Sequence, residues 1–109
     1  MSELKDFGFA IKALKEGKMV QRKGWNGKGL FVFMQVPAKI GWETIPKMQS
    51  LPQSVKDELD YRFDNEPISG GNLDISYNNQ LALVDVSNNI TGWSPSTSDA
   101  LAEDWVVLK

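Results

Sequence analysis

Neither cysteine nor histidine occurs in the 109 residues, so disulfides, thiolate metal sites and imidazole-bound metals are closed to this fold. Whatever structure forms must rest on buried apolar surface, and 41% hydrophobic residues are enough for one modest core at this length. A single domain spanning residues 1–109 is therefore expected. The same two absences remove the commonest general base and the cysteine nucleophiles, which closes off much catalytic chemistry. No cofactor or metal is expected.

No apolar run approaches the length of a bilayer span. The start, "MSELKDFGFAIKALKEGK", is charged throughout where a secretion signal needs an uninterrupted apolar stretch, so a soluble protein of the cytoplasm is expected. The net charge of −2 hides an asymmetry. Residues 1–30 hold seven Lys/Arg against three Asp/Glu, whereas residues 31–109 hold five against eleven. A pI near 5.0 argues against a duplex-binding protein, which needs a broad basic surface to neutralise many phosphates, while a local patch still suits a small anion.

The pattern along the chain predicts an α+β fold: a small antiparallel sheet with an N-terminal amphipathic helix and short additional helices. Asp6 is placed as an N-cap, Phe7, Ala10, Ile11 and Leu14 recur at helical spacing, and Gly17 is placed as a stop, giving a helix over 7–16. "KMVQRK" and "LFVFMQV" read as strands on either side of a Gly-rich loop. Pro37, Pro46, Pro52 and Pro67 punctuate the middle, where a short helix is predicted over Ser54–Arg62 and "DNEPISGGN" reads as a mobile loop. "LDISY" and "LALVDVS" are predicted to pair as a hairpin through Asn78-Asn79, and "SNNITG" to make a turn before Trp93. Ser96 and Asp99 have capping-box spacing, so a short helical turn is expected before a last strand, Trp105–Leu108.

Two constellations carry candidate chemistry. In "RKGWNGKG" (Arg22–Gly29) three glycines free backbone N–H groups for close approach to a ligand, and Arg22, Lys23 or Lys28 suits phosphate oxygens while Trp25 offers a stacking plane. The spacing is not that of a Walker P-loop. On spacing alone the same residues read more readily as a hairpin with Asn26-Gly27 at its tip and Trp25 as a lid on the core. In "GWSPSTSDALAEDW" a second Gly-Trp pair, Gly92-Trp93, precedes hydroxyls at Ser94, Ser96, Thr97 and Ser98 near the start of a short helix, where N–H groups can face an anion. Against that, Ser96 and Asp99 are accounted for as caps, and Trp105 in an alternating strand reads as core.

"FGFAIKALKEGKMVQRKGWNGKG" followed by "GWSPSTSDALAEDW" resembles the small phage and prophage family long called domain of unknown function 2829, now known as the second family of Thoeris anti-defence sponges. The resemblance covers roughly residues 7–36 and 90–108 and leaves a stretch of about 38–72 that looks like a family-variable insertion. It implies a non-enzymatic binder that sequesters the cyclic ADP-ribose isomer made by a host TIR protein, with homotetramers, pockets between protomers and, for some members, a separate site for cyclic oligonucleotides. By the same resemblance Trp25 and Trp93 would stack on the purine, and Arg22, Asn26, Lys28, Ser96, Thr97 and Asp99 would address phosphates and ribose hydroxyls. Two other classes stand beside it. A carboxylate-based nucleotide hydrolase would draw on Asp99, Glu103 and Asp104, and a protein-interaction inhibitor of a host enzyme would present a Trp-bearing surface.

Overall fold

The computed structural model describes residues 5–25 and 29–108. The first element, α1 (Phe7–Lys15), starts where Asp6 Oδ1 accepts the Phe9 N–H at 2.9 Å, and it stops where Gly17 turns left-handed at φ 87°. Ala10, Ala13 and Leu14 form its buried stripe at helical spacing, and Lys12 and Lys15 sit in the last turn, where cations suit the helix dipole.

After α1 come β1 (Met19–Arg22), a 3-10 turn (Lys23–Trp25) and β2 (Phe31–Met34); later in the chain come β5 (Leu81–Val84), β6 (Ile90–Gly92), α4 (Thr97–Leu101) and β7 (Trp105–Leu108). The intervening elements are β3 (Ala38–Gly41), a 3-10 turn (Ile45–Lys47), α2 (Gln53–Asp64), α3 (Glu66–Ser69) and β4 (Asp74–Tyr77). The α+β class with an N-terminal helix and antiparallel sheets is as expected from the sequence.

The chain divides into two compact units, residues 1–36 with 79–109, and residues 37–78. In the first, five strands run in the order β6-β5-β2-β1-β7, each neighbour antiparallel. Val20 lies opposite Val32 between β1 and β2, and Val20 opposite Val107 between β1 and β7, so one face of the sheet carries a continuous apolar row. That row meets the buried stripe of α1, and Ala10, Ala13, Leu14, Val20, Val32 and Trp105 form the core. Burying these side chains is the dominant stabilising term available to a chain without staples.

The second unit pairs β3 with β4 in a two-stranded sheet, with α2 and α3 between them in sequence. Ile45 is its buried hydrophobic residue among those described, and α2 has no buried side chain. Surface pairs support α2 instead, Arg62 with Glu58 at 3.0 Å and Gln53 with Asp57 at 2.9 Å.

Three sequence expectations are corrected. β4 and β5 do not form a hairpin through Asn78-Asn79: β4 pairs with β3, and β5 pairs with β2 and β6. The residues 78–80 carry the chain from one ladder to the other. The tight turn lies further on, between β5 and β6, where the Asp85 carboxylate accepts the N–H groups of Ser87 and Asn89 at 2.8 and 2.9 Å and Asn88 takes φ 66°. The backbone N–H of Asn89, foremost, holds the Asp85 carboxyl below its usual range. Secondly, Ile90–Gly92, read as part of a turn, is the edge strand β6. Thirdly, "DNEPISGGN", read as loop, contains α3, which Pro67 suits in its first turn and Gly70 ends at φ 66°. The central helix is longer than expected, Gln53–Asp64.

Trp105 is fully buried, so Trp105→Ala is expected to lower folding stability by about 3–5 kcal/mol. Urea denaturation followed by far-UV circular dichroism checks it.

Candidate functional site

The two Gly-Trp segments, far apart in sequence, meet around one buried indole. Arg22 at the end of β1 lies opposite Trp105 at the start of β7, and the 3-10 turn that follows Arg22 carries Trp25 against the same ring. The Trp25 and Trp105 centroids are 5.6 Å apart at 78°. The Trp93 N–H donates to the Leu81 carbonyl, extending the β5–β6 ladder, and the Trp93 ring also meets Trp105, at 6.0 Å and 78°. Phe7 closes the cluster, 5.2 Å from Trp105 and 6.3 Å from Trp93. Edge-to-face pairs of this kind contribute about 0.5–1.5 kcal/mol each beyond their burial. Trp25 and Trp93 are only half-buried, so each supports the core and keeps aromatic surface exposed.

A polar network borders the aromatic cluster. The Arg22 guanidinium donates through Nε to Asp104 Oδ1 at 2.9 Å and through Nη1 to Asp99 Oδ1 at 3.0 Å. Asp104 Oδ2 accepts the Gly24 N–H at 2.8 Å, and the Asp104 carbonyl accepts the Lys23 N–H at 2.9 Å. Asp99 also completes a capping box at α4: its N–H donates to Ser96 Oγ, and its Oδ2 accepts the Ser96 N–H, both at 3.1 Å. The Trp105 Nε1–H donates to the Asp99 carbonyl at 3.0 Å, which satisfies the buried indole and fixes α4 beside it.

These contacts set the charges. For Asp104 the bond from Arg22 lowers the carboxyl, against partial desolvation and with help from the Gly24 N–H. For Asp99 desolvation pushes upward, but the Ser96 N–H, Arg22 and the Ser96 hydroxyl outweigh it, and the net shift is downward. Arg22 is raised in turn, by Asp104 first and then Asp99.

Of the residues singled out from sequence, the structure brings Arg22, Trp25, Trp93, Ser96 and Asp99 to this one corner, with Thr97 exposed beside Ser96 on the first turn of α4. Asn26 and Lys28, and the expected Asn26-Gly27 turn, lie outside the described residues. Two nitrogens of Arg22 are already engaged by carboxylates of this chain, and the Asp99 carboxylate serves as cap and ion pair. Sequence reasoning missed the role of Asp104 toward Arg22 and Gly24, and the place of Phe7 in the cluster. The available signal for Asp104 was its position directly before Trp105, whose cross-strand partner is Arg22.

Because both carboxyls titrate lower in the folded than in the unfolded chain, the folded state binds fewer protons, and the stability they contribute is complete above about pH 4 and lost as pH falls through their folded values. Thermal melts between pH 7 and pH 2 are expected to show this acid limb. Arg22→Met should be less stable at pH 7, by about 1–3 kcal/mol, and show a shallower limb.

The sequence comparisons agree over nearly the whole chain. Residues 5–108 match the family model described as the Thoeris anti-defense 2-like domain. The chain is also similar to Thoeris anti-defense 2 of Bacillus phage SP01, 30% identical over 105 residues that cover 94% of this chain and 92% of that protein. With the match running from Lys5 through both Gly-Trp segments to Leu108, the chain belongs to the Thoeris anti-defense 2-like family.

Proposed function

We propose that the protein counters a host defence without chemistry, by binding and sequestering a cyclic nucleotide messenger, the cyclic ADP-ribose isomer made by Thoeris TIR proteins, so that the downstream effector is never activated. It works in the cytoplasm of the bacterial host. The observation that carries this reading is the pair of half-buried tryptophans, Trp25 and Trp93, both packed edge to face with Trp105, together with the exposed hydroxyls of Ser96 and Thr97 at the start of α4. Family membership supports it. A cyclic dinucleotide-like messenger presents a purine face, a pyrophosphate and ribose hydroxyls, which call for aromatic planes, N–H donors with a cation, and hydrogen-bonding hydroxyls or carboxylates. Stacking at about 1–3 kcal/mol per base, with charge-assisted bonds of about 1.5–3 kcal/mol, reaches nanomolar affinity in a preformed pocket.

The hydrolase reading has less behind it. A carboxylate pair that divides acid and base work needs one member raised, whereas Asp99 and Asp104 share one guanidinium and are both lowered.

Self-association belongs to the proposal. Val86 and Ile90, at the turn into and start of edge strand β6, are 70% and 64% exposed, and Leu101 in α4 is 76% exposed. A homo-oligomer, as the tetramers of the family suggest, would cover such side chains. Light scattering at micromolar concentration is expected to give a multiple of the 12.2 kDa chain mass, and a monomer mass would count against a shared pocket.

Incubation with the TIR-derived cyclic ADP-ribose isomer, washing and heat denaturation should release the messenger intact, as read by mass spectrometry. Released hydrolysis product would reassign the protein as an enzyme, and absence of any captured nucleotide with a host protein co-purifying would favour the interaction module. Trp25→Leu keeps apolar volume against Trp105 but removes the stacking plane. Titration calorimetry is expected to show about 5- to 150-fold weaker messenger binding by the folded variant.

A further inference from the structure

We propose that Asp104 is a positioning residue for the messenger site, clamping the first turn of the Gly-rich loop and so fixing where Trp25 stands. This rests on the reading that Trp25 contacts messenger. Three consecutive residues, the last of β1 and the first two of the 3-10 turn, are tied to this one residue: Arg22 Nε to Oδ1 at 2.9 Å, the Lys23 N–H to the Asp104 carbonyl at 2.9 Å, and the Gly24 N–H to Oδ2 at 2.8 Å. Trp25 follows Gly24 in the chain and Trp105 follows Asp104, and the two tryptophans meet edge to face.

β-Ladder pairing between β1 and β7 ends at Arg22 and Trp105. Past that pair Asp104 takes over as the partner, bonding side chain, backbone and backbone in succession, so the chain leaves the strand as a 3-10 turn with a set direction. Gly24 is part of the same device. A Cβ there would stand 3.0 Å from Asp104 Oδ2, tighter than ordinary contact, so a side chain at 24 requires the carboxylate that holds the turn to shift by a few tenths of an ångström. The glycine leaves room for the close approach of a carboxylate of this chain, and Arg22 is the cation that keeps that carboxylate ionised and in place.

The clamp predicts that two dissimilar substitutions act alike. Asp104→Asn removes the charge that Arg22 and Gly24 address, and Gly24→Ala pushes the carboxylate away. Each should weaken binding of the TIR-derived cyclic ADP-ribose isomer about 10- to 100-fold, and the double variant should bind no worse than the weaker single one, because both break the same clamp. In ligand-free protein the Trp25 indole N–H resonance, assigned by its loss in Trp25→Phe, should move in both single variants, while far-UV circular dichroism stays at wild type. Wild-type messenger affinity in Gly24→Ala, or additive losses in the double variant, overturns the proposal while leaving the sequestering function standing. Should wild-type protein capture no messenger, the function fails, and the indole resonance alone decides the clamp: moved in both variants it holds, unmoved it falls. Should Asp104→Asn fail to fold, Gly24→Ala and amide exchange in the wild type decide, with slow exchange at the Gly24 N–H expected and fast exchange overturning it.

Discussion

A buried indole needs an acceptor for its N–H, and in this protein the Asp99 carbonyl supplies it. Much of the first unit follows from that bond. It seats α4 beside β7, α4 brings the Asp99 carboxylate to Arg22, and Arg22 joins Asp99 to Asp104. The ring itself receives Phe7 from α1, Trp25 from the 3-10 turn and Trp93 from the end of β6. One side chain thereby links the N-terminal helix, the loop after β1 and the C-terminal motif, which no run of local sequence could connect.

Local chemistry was legible where it was self-contained. Asp6, the apolar spacing of α1 and Gly17 define a helix without outside help, and Ser96 with Asp99 define the cap of α4. Trp105 as core was also legible, from its place in an alternating strand. Partner choice was not. Asn78-Asn79 and Asn88-Asn89 look alike as turn formers, but the second pair follows Asp85, whose carboxylate can gather the N–H groups of a tight turn. Arg22 reads from sequence as a phosphate cation because its carboxylates lie 77 and 82 residues away.

The two units differ in what holds them. The first has a core of fully buried side chains around Trp105, whereas the second has Ile45 and a helix supported by surface pairs. Exposed pairs of this kind contribute little individually. Trp42 is 52% exposed in the second unit, in a cleft of about 250 Å³ shared with Phe63 and Asp60. Residues 37–78 therefore form the part of the chain with the least buried apolar surface to resist local opening.

Where that segment leaves and rejoins the sheet, Gln35 and Gln80 are bonded twice, backbone to backbone and side chain to side chain, each at 2.7 Å. Seen from the sheet, everything between is a loop whose ends are already pinned together. The entropy of closing such a loop grows only logarithmically, about 0.6 kcal/mol for each doubling of its length. On that count, a change in the number of residues between Gln35 and Gln80 alters the closure cost for the strands that frame the tryptophans only slightly.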